Sequence, residues 1–286
     1  MNKILLTLFM LFSFVANAGT KATTNNKVLT LTERNTLVLR NVVDTQSVAT
    51  IQVAASKLSQ NLSKNENIYL FLDTPGGEID AGNQLIATLK GLPQRVNTVT
   101  NFAASMGFIT AQSLGTRYIL PQGVLMSHRA SGGARGQIPG ELNTRVNFFT
   151  EMLDAQDEEI ATRVGMTKKA YQQMIVNEYW VYGKKAVASK MADEIILVRC
   201  NKSLSEGKVE ETIQTFFGPV RVTYSTCPLI TAPLEVSFEE LGLSRYDESE
   251  RLTLSGVRKT ILTLIYDKRE FYHDYVLTNK YKQVLP

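Results

Sequence analysis

Histidine and cysteine are the scarce residues of this chain, two of each in 286 positions. Any mechanism that needs an imidazole base has two candidates, His128 and His273, and any disulfide has one pairing, Cys200 with Cys227. Blocks of five or six like charges are missing, and 31 basic against 27 acidic residues leave a formal charge of +4. So small and dispersed an excess gives no electrostatic footing for nucleic acid, which is not expected as a partner. No apolar run reaches the roughly 17–25 residues of a membrane-spanning helix, which excludes a polytopic membrane protein. Neither CxxC nor a Cys/His ligand spacing occurs, so no metal site is expected, and no cofactor either. What is present is ordinary: 44% hydrophobic, 20% charged and 8% aromatic. That profile fits one large domain, or one of about 180 residues with a smaller companion.

The start of the chain has the pattern of an export signal. Lys3 gives a short positive start, residues 4–15 form an apolar run broken by Thr7 and Ser13, and Ala16-Asn17-Ala18 supplies small residues at a cleavage position. The expectation is a signal peptide at residues 1–18 and a periplasmic protein. In that oxidising compartment Cys200 and Cys227 are expected to form a bridge, worth roughly 3–4 kcal/mol by loop entropy. It would staple two strand-like runs, Ile195 to Val198 and Val220 to Tyr224.

Further along, short alternating runs at Val28 to Leu31 and Leu37 to Leu39 read as strands, and residues 47–62 have apolar residues at helical spacing. Ile68 to Leu72 is a continuous apolar strand of the kind buried on both faces of a sheet. The turn Thr74-Pro75-Gly76-Gly77 leads into a second helical pattern, then a strand at Arg95 to Thr100 and a helix at Ala103 to Leu114. Arg117 to Leu120 and Val124 to Ser127 read as two short strands. This order is the α/β pattern of stacked ββα units. A glycine-rich segment, Ser131 to Gly136, precedes a long polar helix from about Glu141 to Val164 and a shorter one from Thr167 to about Asn177. Past about residue 200 the sequence is strand-rich, aromatic and charged. The organisation expected is a signal at 1–18, an α/β domain at 19–200 and an extension at 201–286 of unknown role.

Three places carry chemistry. Glycines at a strand-to-helix turn let backbone N–H groups point outward, as an oxyanion site requires. Ala103-Ala104-Ser105-Met106-Gly107 sets a serine between small residues at the start of a helix, where the dipole favours developing negative charge. His128 stands at a strand end just before the glycine-rich segment. A serine and a histidine so placed suit a nucleophile and its base if the fold joins them.

With these motifs in order, joined by Met126-Ser127-His128 and Gly132-Gly133-Ala134-Arg135-Gly136-Gln137, the stretch from about residue 68 to 196 resembles the proteolytic subunit of the Clp protease family. Lys184 to Val187 and Ala192-Asp193 resemble that family's closing helix and turn. The resemblance implies a crotonase-like α/β spiral that assembles into homo-oligomeric rings; the strand-rich residues past about 200 lie outside it and are expected to form a C-terminal extension. It implies Ser105 as nucleophile and His128 as general base. Gly77 and Met106 would supply the oxyanion N–H groups, and Ser131, Gly132, Gly133 and Ala134 would bind a peptide as an added strand.

One position departs. An ungapped match puts Met174 where the family has its third residue, and methionine cannot orient an imidazole. Asn177 and Glu178, three and four residues on, would share its helix face; Glu178 is the favoured replacement. The expected function is a periplasmic serine endopeptidase acting on peptides or unfolded proteins. An ATP-driven unfoldase is not expected as partner, since the periplasm lacks ATP. The alternatives are a catalytically weakened scaffold or peptide-binding protein and, more remotely, acyl-CoA chemistry.

Overall fold

The computed structural model describes residues 27–215 and 218–237. The expected signal at 1–18, His273 and the end of the chain lie outside the described residues.

The central sheet is built on the apolar run at Ile68 to Leu72. That run forms the middle of β3 (Asn67–Gly77), flanked by β2 (Thr36–Val43) and β4 (Arg95–Ala104), with β5 (Arg117–Ser127) beyond. These four strands are parallel and lie in chain order, and β6 (Tyr179–Tyr182) closes the edge antiparallel to β5. β7 (Glu194–Ile195) also pairs with β5. The connections α1 (Thr45–Gln60), α2 (Ile79–Lys90) and α3 (Met106–Ser113) carry the chain between parallel strands, as parallel pairing requires. Asp44 starts α1 with a capping box: its carboxylate accepts from the Ser47 N–H at 2.7 Å, and the Ser47 hydroxyl accepts from the Asp44 N–H at 3.0 Å.

The two faces of the sheet are covered differently. Leu37, Leu39, Leu70 and Leu72 pack against the helices through Ile51, Leu85, Leu89 and Phe108, together with Ile160 and Val164 at the end of α4 (Gly140–Val164). On the other face Phe71, Val99 and Leu120 meet Leu31 of β1 (Val28–Leu31), Ile196, Leu204 and Cys227. Leu204 belongs to α7 (Lys202–Glu206), which comes after α6 (Gly183–Ala188) and follows β8 (Leu197–Cys200), the parallel partner of β1. Beyond α7 an antiparallel sheet forms from β9 (Lys208–Thr215), β10 (Gly218–Ser225) and β11 (Glu235–Ser237), with β10 in the middle. Cys200 and Cys227 are bridged, Cα to Cα 5.9 Å, tying the end of β8 to the residues after β10.

The structure departs from the sequence-based expectations at four boundaries. β3 does not stop before the glycines but runs through them, because a register shift at Asn41 (φ 68°) lets Val42 and Val43 pair with Gly76 and Gly77. The helix expected from Ala103 begins only at Met106, since Phe102 to Ala104 still pair with β5. The two short strands expected at 117–127 are one, β5, with its register shifted midway. The short helix expected to reach Asn177 is α5 (Lys168–Met174) and ends three residues early.

Candidate active site

Ser105 is the hinge between β4 and α3, and its backbone is unusual: φ is 54° and ψ is −120°. A positive φ on a residue with a side chain is uncommon and costs of order 1–3 kcal/mol, tolerated where the surroundings impose it. Here they do. The Ser105 N–H donates to the Met126 carbonyl at 2.9 Å, and its neighbours Ala104 and Met106 are 2% and 1% exposed. The Ser105 side chain makes no cap bond to the helix, so the first N–H groups of α3 stay uncapped by it.

Gly76 explains how β3 approaches so closely. A Cβ there would lie 2.5 Å from the Ala104 carbonyl oxygen and 2.7 Å from both the Met106 nitrogen and the Ser105 Cβ. With φ at 90°, only glycine fits. Gly77 (φ 154°) is equally closed, its Cβ position 2.2 Å from the Val43 carbonyl oxygen. The Thr74 hydroxyl fixes the turn, donating to the Asn41 carbonyl and accepting from the Gly76 N–H at 3.1 Å.

His128 follows directly on β5, and its Nε2 is 2.8 Å from the Ser105 Oγ. The strand end beneath it is anchored by Ser127, whose hydroxyl is 2.7 Å from the Tyr171 hydroxyl. Both side chains are buried, and burial pushes the Tyr171 phenol up to about 12, against the opposing Ser127 hydrogen bond.

The acid side is arranged otherwise than the helix-face expectation had it. α5 ends at Met174, which packs against the core, and the chain turns through Ile175 to Asn177. Asn177 and Glu178 therefore do not share a helix face with Met174. β6 returns antiparallel along β5 instead, pairing Trp180 with Met126 and Tyr179 with Ser127. Glu178 is the residue just before β6, as His128 is the residue just after β5, so both lie at the same end of this strand pair. Glu178 is exposed, has φ 65°, and its carboxylate accepts from the Trp180 indole N–H at 2.9 Å. Among the described residues, the one hydrogen bond of the His128 ring is to Ser105.

Residues 128–136 run without regular structure, and Gly132 and Gly133 face open space. Ser131 joins Gly77, Ser105, Met106 and His128 around one cavity of about 80 Å³. Sequence reasoning missed the rest of its wall: Ile79 and Ile109, the residues Leu153, Gln156, Asp157 and Ile160 of α4, and Tyr171. A signal was available, since 153, 156, 157 and 160 form a stripe at helical spacing. Among the described residues no group of histidine, cysteine, aspartate or glutamate is arranged to hold a metal ion.

A hydroxyl held against an imidazole, on a strand-to-helix turn beside an uncapped helix start, is the geometry of a nucleophile with its base. The comparison with known proteins agrees in kind. The Clp protease family model matches residues 19–199, and the chain belongs to that family of peptidases. Similar proteins include ATP-dependent Clp protease proteolytic subunits of Streptococcus pyogenes serotype M5 and Streptococcus equi subsp. equi. Each is 30% identical over 138 residues, which covers 46% of this chain and 69% of the relative.

Proposed function

We propose that this protein is a serine endopeptidase that cleaves peptides or unfolded proteins through an acyl-enzyme on Ser105. The observation that carries the reading is the 2.8 Å contact between the Ser105 Oγ and the His128 Nε2. In the first step the Oγ bonds to the scissile carbonyl carbon as its proton passes to the Nε2. The resulting oxyanion is received by the N–H groups of Gly77 and Met106, preset by the closed glycine turn and the start of α3. The tetrahedral adduct collapses by breaking the C–N bond, and His128 returns its proton to the leaving amine. Water then enters with His128 as base and releases the acid. The Ser131 to Ala134 segment holds the peptide as an added strand, in keeping with a backbone that lies outside any helix or sheet. Glu178 orients the imidazole; its place just before β6, at the end of the strand pair where His128 leaves β5, supports that role.

The working enzyme is a homo-oligomer in the periplasm, cleaved after residue 18, and acts without an ATP-driven unfoldase. The composition of residues 1–18 supports export, and the Cys200–Cys227 bridge suits an oxidising compartment. Among the described residues no helix is long and apolar enough to cross a membrane.

The test is labelling by a fluorophosphonate probe. The wild-type protein should label and Ser105→Ala should not, with turnover of a casein-like substrate falling by on the order of 10⁴-fold or more. Labelling that persists in Ser105→Ala, or is absent from folded wild type, removes this reading. A second reading, a weakened Clp-like scaffold that holds extended peptides, is favoured by one observation: the Glu178 carboxylate is engaged by Trp180. Peptide binding that is unchanged in Ser105→Ala, with no turnover by wild type, would select it.

A further inference from the structure

The cavity beside Ser105 has apolar side chains in its wall, Ile79, Met106, Ile109, Leu153 and Ile160, set among polar ones. One wall residue is a carboxylate. Asp157 faces in from α4, three residues before Ile160 and four after Leu153, on the stripe that α4 turns toward the site.

Among the described residues the Asp157 carboxylate has no direct ionic partner; Lys168 and Arg129 act on it only at longer range. Its Oδ2 accepts one hydrogen bond, from the Gln172 amide at 3.0 Å. Lys168 is committed to Asp154 at 2.8 Å and to Glu158 at 3.8 Å. Among the described residues no ion pair reaches Asp157. Burial pushes its carboxyl above the usual range; the Gln172 bond opposes that, Asp154 adds to it, and the charges of Lys168 and Arg129 pull it down. A half-buried carboxylate with a single neutral donor costs stability unless a cation completes it.

We propose that this cavity receives the side chain on the acyl side of the scissile bond, and that Asp157 selects lysine or arginine there. The inference rests on the acyl-enzyme reading of Ser105, because it assigns the cavity by its position next to that nucleophile. A lysine or arginine stem is aliphatic and packs along Ile79, Ile109 and Leu153, while its charged head meets the carboxylate. A leucine or phenylalanine would fill the same walls but bury the Asp157 charge deeper with nothing to pair it, which disfavours it.

Binding separates this proposal from catalysis. Fluorescein-labelled tetrapeptides ending in a free carboxylate, with lysine or its uncharged counterpart norleucine as last residue, are titrated by anisotropy at pH 7.5 against Ser105→Ala protein. The lysine peptide should bind tighter by about tenfold or more, the scale of one charge-assisted contact. Adding Asp157→Asn should reduce that preference to within about twofold, and adding Asp157→Lys should turn it toward a glutamate-ended peptide. Thermal melts of each variant establish that it is folded. Equal or tighter binding of norleucine, binding of neither peptide, or a lysine preference that survives Asp157→Asn overturns the proposal. Fluorophosphonate labelling of the wild-type protein judges the Ser105 reading on its own, so failure of one is not mistaken for failure of the other.

Discussion

The two sides of the candidate site are made of different material. The nucleophile side is core: Ala104, Met106 and Phe108 are buried, and Gly76 sits so close that a methyl group has no room. The side of Glu178, the acid of the proposed reading, is surface: Glu178 is exposed, its carboxylate accepts from the Trp180 indole and its backbone is at positive φ. A position fixed on all sides by packing holds a strained serine at one geometry, since interiors yield little to local strain. A position held by one hydrogen bond at the surface can take more than one. The contrast assigns the precision of the site to the serine and its adaptability to the acid.

That contrast is open to attack, and the largest effect is expected at Gly76. Gly76→Ala puts a methyl against the Ala104 carbonyl and the Met106 nitrogen in a backbone conformation that alanine resists. Activity should fall by about 10²-fold or more and the melting temperature should drop, measured by peptide turnover and calorimetry. If the variant melts like wild type and keeps its rate, the nucleophile side is not rigid.

Glu178→Gln should act on rate with little effect on stability. A loss of about tenfold in kcat, with KM nearly unchanged, is expected if the carboxylate orients His128. Trp180→Phe, which removes the competing indole donor, should raise kcat modestly. No change from either substitution would move the acid role away from Glu178.

Tyr171→Phe tests the anchor between the two sides. It strands the buried Ser127 hydroxyl and should cost about 1–3 kcal/mol in denaturant unfolding, with a smaller change in rate.

The smallest effect concerns Asp157. Its folded-state carboxyl is raised, so the fold favours the protonated form, and whatever stability this gives at low pH is lost as pH rises through the raised value. Asp157→Asn should therefore raise the melting temperature slightly at pH 7. The gain should fade as the solution is made acidic enough to protonate the wild-type carboxyl.

The site was unevenly legible in the chain. Ser105 and His128 stood out because their motifs are local: a small-residue turn into a helix and a strand end before glycines. The bridge followed from arithmetic, since two cysteines allow one pairing, and the structure contains it. Helical spacing does not carry past Met174, where α5 ends, so the shared helix face expected for Asn177 and Glu178 does not form. β-Branched Ile175 and Val176 lie in the turn, and the next residues enter a strand. Glu178 stands just before β6, which runs antiparallel along β5 with Tyr179 opposite Ser127, a placement that a helix-face rule does not describe. Asp157 went unnoticed because it sits in a helix that reads as polar and solvated. Its first turns are indeed exposed, and only its last turns face the site.

By itself, the sequence determined the alternation of strands and helices, the glycine turn, the serine between small residues, and the single possible disulfide. Each depends on neighbours within a few positions or on counting. Tertiary structure decided which residues meet. The Ser105–His128 contact spans 23 positions, and the pairing of Ser127 with Tyr179 joins residues still further apart, both set by strand order and register. The entry of Asp157 into the cavity was decided by the packing of Ile160 and Val164 against the core, which fixes the rotation of the whole helix. Short-range preference selects the elements, whereas burial of apolar surface selects their arrangement, and the chemistry of this site lies between elements.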